Sequence, residues 1–298
     1  MKESILYKKL PGEKVQCRTC NHYCVIAPGR RGTCGVRENI EGKLYFLAYG
    51  RAIAAHIDPI EKKPLYHFLP GTRTFSIATV GCNLRCGNCQ NWTISQFGKN
   101  PDATREMIEA SGENLPPEKV VELAKENGCP SISFTYTEPA IFLEYALDTM
   151  KLARNAGLKN VWVSNGFVSP ETLKKAAPYL DAVNIDIKSF DDEFYRENCG
   201  ARLQPILENC KEIVKNKIHL EITTLIIPTL SDDEEMLSKI ADFIKNELGE
   251  SVPWHVSAFS GAISWKLEDL PDTSAEKVKR VVEIGKSIGL KHVYAGNI

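Results

Sequence analysis

The chain has 298 residues, enough for two domains or for one barrel with an appendage, and its 43% apolar and 25% charged residues describe an ordinary globular protein. A net charge of −1 gives no support for nucleic-acid binding, and no apolar run approaches the roughly 20 residues that cross a bilayer. Near-neutrality hides an asymmetry: residues 1–67 carry twelve Lys/Arg against six Asp/Glu, which is either a solvated basic face or a lobe suited to an acidic protein or a phosphorylated substrate.

The first ten residues are charged and lack an apolar core segment, so no export signal is expected. Ten cysteines without such a signal point to a reducing compartment, the cytoplasm, with thiols serving metals rather than disulfides. Cys17, Cys20 and Cys24 stand at C-x-x-C-x-x-x-C spacing, His22 lies between them, and Cys34 follows ten residues later. This Gly/Arg-rich stretch is too small for its own core and reads as a metal-stapled module over residues 1–67. Zinc and a second iron–sulfur cluster both fit. Residues 43–50 read as a strand, after which Pro59, Pro64 and Pro70 interrupt the pattern.

The second unit is expected over residues 68–298. From residue 75 onward, short β-rich apolar runs alternate with helical patterns. Strands are predicted over 75–80, 131–136, 160–164, 182–187, 219–227 and 255–259, with a last short strand at 292–295. Helices are predicted over 117–127, 140–156, 170–177, 203–214, 232–248 and 275–289, several opened by proline or acids in the first turn. Such alternation means an α/β fold with a parallel sheet. Six β/α units are too few for a closed eight-stranded barrel, so the expected form is an open, partial (β/α)6 TIM-type barrel. Active sites in such folds lie at the carboxyl ends of the strands.

The first strand runs into Gly81-Cys82-Asn83-Leu84-Arg85-Cys86-Gly87-Asn88-Cys89-Gln90. Thiolates suit iron–sulfur clusters and zinc. Three ligands on a four-iron cube leave one iron open for chemistry; zinc with a fourth ligand from elsewhere is the alternative. The spacing resembles that of the radical S-adenosylmethionine (SAM) superfamily. The resemblance implies that Cys82, Cys86 and Cys89 hold a [4Fe-4S] cluster whose fourth iron is chelated by the amine and carboxylate of SAM. Asn88 stands where that family carries an aromatic residue, and Asn88 and Gln90 become candidate SAM contacts.

The other strand ends extend the resemblance. Tyr136-Thr137-Glu138-Pro139 is similar to the family's Gly-Gly-Glu-Pro segment, which implies that Thr137 and Glu138 face the methionyl amine. Ser164-Asn165-Gly166-Phe167 resembles the Thr-Asn-Gly-Phe of glycyl-radical-enzyme activating enzymes, so Ser164 and Asn165 are candidates for the ribose or the methionyl carboxylate. Val163 replaces the aspartate of the activases' cation site. Asp186 and Lys188, two apart on one side of a strand, form either a structural ion pair or, by resemblance to the activases, a carboxylate-recognising pair. The stretch 224–232 is similar to the activase Val-Val-Pro-Gly-x-Ser-Asp segment. Cys129 and Cys210 read as buried apolar thiols; Cys199 falls on the active face and is a candidate reactive thiol.

Together with the upstream cysteines, Pro253-Trp254-His255-Val256-Ser257 and Tyr294-Ala295-Gly296-Asn297-Ile298 resemble the radical SAM enzymes of the AmmeMemoRadiSam system, relatives of pyruvate formate-lyase activating enzymes. Ala258 stands where that group carries arginine, and the resemblance leads one to expect a further cysteine-bearing tail beyond Ile298. The implied reaction is one-electron cleavage of SAM to methionine and a 5′-deoxyadenosyl radical, which takes hydrogen from an unidentified protein or small-molecule substrate. It calls for a one-electron reductant of flavodoxin or ferredoxin type. The alternatives are a glycyl-radical-enzyme activating enzyme and a non-enzymatic iron–sulfur electron carrier or metal scaffold.

Overall fold

The computed structural model describes residues 1–298. Its principal sheet has eight strands: β1 (Ala54–Pro59), β2 (Arg73–Ala78), β3 (Ser131–Phe134), β4 (Lys159–Ser164), β5 (Ala182–Asp186), β6 (His219–Ile226), β7 (Trp254–Ala258) and β8 (Val293–Gly296). They lie side by side in chain order, with β1 and β8 at the edges. From β2 to β8 all pairings are parallel, and β1 runs antiparallel to β2. The partial barrel is therefore open, as expected. Six helices follow the strands: α1 (Pro117–Glu126), α2 (Leu143–Asn155), α3 (Pro170–Ala176), α4 (Gln204–Lys215), α5 (Glu234–Phe243) and α6 (Ala275–Ile288). Ser169, Asp233 and Ser274 cap three of them by accepting from the backbone amides of Thr172, Met236 and Lys277.

Two predicted segments change form. The helix expected over 140–156 opens with a 3-10 turn, Pro139–Phe142, and that expected over 232–248 closes with a π turn, Ile244–Leu248. The barrel also begins earlier than residue 68, because β1 lies inside the segment assigned to the N-terminal module. Its polar side chains point inward: His56 and Asp58 pair with Ser76 and Thr74. A polar lumen reverses the usual pattern, and Pro59 further disguises an edge strand.

The sheet's two faces differ. Outward residues such as Phe75, Ile77, Ile132, Phe134, Val183, Ile185, Ile222, Trp254 and Val256 join one apolar core with the helices. Inward residues are polar and pair with one another: Thr74 Oγ1 with Ser133 Oγ at 2.7 Å, and Thr223 Oγ1 donating to Asn184 Oδ1 at 3.0 Å. The segment 64–68 closes the floor. Asn184 Nδ2 donates to Pro64 O at 2.8 Å, and the Tyr66 and His67 amides donate to Glu221 at 3.0 and 2.8 Å. Glu221 is fully buried; burial opposes its charge, yet His219, His255 and those amides hold its carboxyl down at about 2. With the floor sealed, chemistry is left to the carboxyl ends of the strands.

Residues before β1 form two small antiparallel sheets, one of Tyr7–Lys9, Val15–Cys17 and Val25–Ile26, the other of Lys2–Glu3, Lys43–Phe46 and Arg37–Ile40. Their private core is only Val15, Cys17, Ile26 and Leu44. They are fastened to the barrel by a fully buried ion pair, Arg37 to Glu144 on α2 at 2.6 Å, with side chains 1% and 0% exposed. Ser4 Oγ accepts from Arg37 at 2.6 Å and the Ile5 amide donates to Glu144 at 3.0 Å, so neither charge is left unpaired. Such a pair fixes orientation more than it adds stability.

Candidate functional site

Beyond β2 the chain reaches Val80 and turns at Gly81, whose φ is +96°. A Cβ there would lie 2.7 Å from Val36 Cγ1 and 3.0 Å from Cys34 O, so both the conformation and the space require glycine. The thiol loop that follows is pinned by backbone bonds. His22 Nε2 meets Asn83 O at 2.8 Å on one flank. On the other, Arg85 N donates to Cys199 O at 2.9 Å, and Gly87 N donates to Asn198 O and Oδ1 at 3.2 and 3.1 Å. Gly87 O accepts from Lys266 N at 2.9 Å, and Gly81 N donates to Ile94 O at 2.9 Å in the short helix Trp92–Ser95.

Cys86 is buried, and Cys82 and Cys89 are partly so. Cys82 Sγ accepts from Leu84 N at 3.4 Å and Asn165 Nδ2 at 3.8 Å; Cys89 Sγ lies 3.4 Å from Ser95 Oγ. The neighbouring Cys199 thiol, together with burial, holds the Cys86 pKa well above the ordinary range. Burial pushes Cys82 up to about 12 and also raises Cys89. Two cations oppose this: Lys99 acts on Cys82, and Lys188 on Cys86 and Cys89. The loop's donors are thiols without a carboxylate among residues 82–91, a soft set beside lysines that balance thiolate charge. This fits an iron–sulfur cluster. No three His, Cys, Asp or Glu side chains of the chain converge tightly enough to hold a single metal ion.

The candidate SAM residues fall into two groups. Glu138, Ser164 and Asn165 form one buried knot: Ser164 Oγ donates to both Glu138 oxygens at 2.9 and 3.0 Å, and the Ala140 and Asn165 amides donate at 3.0 and 2.9 Å. Asn165 Nδ2 also donates to Asn83 Oδ1 at 2.8 Å, joining the knot to the thiol loop. Thr137 Oγ1 is spent on Thr79 O at 2.9 Å, Asn88 Oδ1 accepts from Asn198 Nδ2 at 3.0 Å, and Gln90 is exposed. Asp186 and Lys188 share the expected side of their strand end, Nζ to Oδ2 2.8 Å. Asp186 is the more open of the two, 34% against 14%. Lys99, Asn198 and the contact of Cys199 with Cys86 were not legible in the sequence; only Cys199's position after β5 hinted at the last.

Burial raises the Glu138 carboxyl to about 7, against the pull of the hydrogen bonds it accepts from Ala140 N, Asn165 N and Ser164 Oγ. A folded-state value above the unfolded one stabilises the protein below pH 4.5 and loses that contribution as pH rises through 7. Over that window the loss is about 3 kcal/mol. Glu138→Gln stays neutral, so melts compared across pH 5–8 should show wild type losing ground to the variant as pH rises. A pH-independent offset between the two would refute the assignment.

The radical SAM superfamily model matches residues 76–243. An uncharacterized protein of Methanocaldococcus jannaschii is 45% identical over 298 residues, covering 100% of this chain and 86% of the relative. The pyruvate formate-lyase-activating enzyme of Clostridium pasteurianum is 26% identical over 74% of this chain and 92% of its own length. Among solved structures, a radical SAM methyltransferase from Sphaerobacter thermophilus matches with a TM-score of 0.58 at 13% identity, over 76% of this chain and 67% of that one. SuiB of Streptococcus suis bound to S-adenosylmethionine matches with a TM-score of 0.55 at 15% identity, over 73% and 48%. Both structural likenesses concern the fold, and they agree with the open barrel described above. The chain is a radical SAM enzyme and belongs to the radical SAM superfamily.

Proposed function

We propose that Cys82, Cys86 and Cys89 hold the [4Fe-4S] cluster and that the enzyme abstracts hydrogen from a polypeptide, as an activating or modifying enzyme. The observation that carries this reading is the all-thiol loop at the carboxyl end of the first parallel strand, above a lumen closed at its floor. The bound cluster and SAM supply one-electron cleavage of a carbon–sulfur bond and, with it, hydrogen-atom abstraction from substrate. The chain's own residues do the rest. Lys99 and Lys188 offset the thiolates' charge, Lys188 receives the methionyl carboxylate, and the Glu138–Ser164–Asn165 knot holds the loop and the strand end in register for SAM. Asn88, Gln90, Thr137 and Asp186 complete the SAM wall.

A polypeptide substrate is supported by the pyruvate formate-lyase-activating relative and by the rim of the site. Trp92, directly after the thiol loop, is exposed and stacks on Trp265 at 6.4 Å, and Ile263 beside it is exposed. Exposed aromatic and aliphatic anchors suit a protein interface. The reductant is proposed to be of flavodoxin or ferredoxin type. The test is to reconstitute the protein anaerobically, reduce it, add SAM and measure 5′-deoxyadenosine. Product that forms with SAM and reductant supports the reading; none, from protein of full iron content, overturns it.

A further inference from the structure

Cys17, Cys20, Cys24 and Cys34 are free thiols, and they abut the catalytic loop. The Cys17 amide donates to Cys24 O at 2.9 Å, the Tyr23 amide to Cys20 O at 3.1 Å, and Cys34 sits on the turn closed by Gly35 N to Gly32 O at 2.9 Å. The set has an outer and an inner end. Cys24 is partly exposed and lies 3.2 Å from Thr33 Oγ1, beside exposed Val25. Cys34 is buried in the same apolar core as Cys86. Its carbonyl is one of the atoms that a Cβ at Gly81 would meet, at 3.0 Å beside the Val36 side chain, and Gly81 is bonded to Cys82. Glycine recurs where the two parts close: a Cβ on Gly35 would fall 2.4 Å from Gly98 C. His22, from within the cysteine set, reaches Asn83 O at 2.8 Å. Lys99 is anchored to Leu84 O and feels the thiols of both sets, Cys82 and Cys34 foremost.

We propose that these four cysteines hold a redox-active iron–sulfur cluster that relays single electrons from an acidic flavodoxin-type donor to the catalytic cluster. This rests on the radical SAM reading above. Cys34 O packs closely against Gly81, the residue before Cys82, so a path from Cys34 to the catalytic loop crosses one packing contact. Four thiols are a soft donor set that suits an iron–sulfur cluster as well as zinc, and their contact with the catalytic loop favours the redox-active group. Residues 1–67 carry twelve Lys/Arg against six Asp/Glu, with Lys8, Lys9, Lys14 and Arg30 exposed, and this net positive charge steers an acidic donor toward the module. The electron count closes simply: the donor flavin loses one electron, the relay gains and returns it, and the catalytic cluster takes it up. No bond forms or breaks at the relay.

The test uses the whole anaerobically reconstituted chain. Wild type should hold more than the about four irons of one cube and show two reduced EPR signals, of which SAM shifts one. Cys17→Ala/Cys20→Ala should lose the signal that SAM does not shift and keep the other when dithionite is the reductant. Reduction by flavodoxin hydroquinone should slow by an order of magnitude or more. Because that variant removes buried side chains, Lys8→Glu/Lys9→Glu/Lys14→Glu is the second arm: it should keep both signals while slowing flavodoxin-driven reduction and flattening its salt dependence. Zinc in place of iron at the N-terminal cysteines, or an unchanged flavodoxin rate in either variant, overturns the relay alone. Absence of the SAM-shifted signal in dithionite-reduced wild type would overturn the radical SAM reading with it.

Discussion

Replacing Cys82, Cys86 and Cys89 together by alanine is expected to abolish both 5′-deoxyadenosine formation and the SAM-induced shift of the EPR spectrum, while leaving the chain folded. The loop is held by its backbone, not by its sulfurs: Asn83 O, Arg85 N, Gly87 N and Gly87 O carry the bonds to His22, Cys199, Asn198 and Lys266. Losing the thiols therefore removes the donors without releasing the loop. All three are changed together because of Cys199. Its thiol neighbours Cys86 and its carbonyl anchors Arg85 N, so a lone Cys86→Ala variant leaves a substitute sulfur at hand. Product formation by the triple variant, with melting temperature retained, would place the catalytic cluster elsewhere.

The repeating strand–helix pattern and the thiol spacing were legible because both are local. The outward faces of the strands are apolar and bounded by turns, and a loop of three cysteines announces its chemistry within eight residues. What escaped depends on contacts distant in sequence. Lys99 reads as an ordinary surface lysine until the fold lays it over Leu84 O; Asn198 and Cys199 reach the thiol loop only because β5 stands where it does. Two departures from the family pattern prove shallower than the letters suggest. Tyr136 and Thr229 replace glycines of the resembling segments, and both adopt the left-handed backbone that glycine favours, φ +61° and +67°. For a side-chain-bearing residue this costs about 1–2 kcal/mol. It is offset by local ties: the Tyr136 hydroxyl donates to Asp58 beneath Lys63, whose Nζ lies 4.4 Å from the ring, and Thr229 N donates to Asp232 Oδ1 at 3.0 Å.

Lys188→Met should weaken SAM binding by one to two decades. Burial opposes the charge on this ammonium, but Asp186 foremost, then Cys86 and Cys199, hold its pKa well above the usual lysine range. It is therefore a fixed cation beside the catalytic thiols, 14% exposed and 2.8 Å from Asp186. Methionine keeps the length and apolar stem but removes a charge-assisted bond to the methionyl carboxylate, a loss of about 1.5–3 kcal/mol. A structural ion pair predicts a different pattern. Stripping the partner from a fully buried charge costs about 3–5 kcal/mol, but Asp186 is 34% exposed and can be hydrated in the lumen, so a smaller fall in stability is expected. Asp186→Asn combined with Lys188→Met removes the orphaned charge and should recover that stability. If Lys188 recognises SAM, both variants bind it weakly at full cluster content, whatever their melting temperatures. If the pair only braces the end of β5, SAM affinity returns with the fold in the double variant, and Lys188 leaves the site.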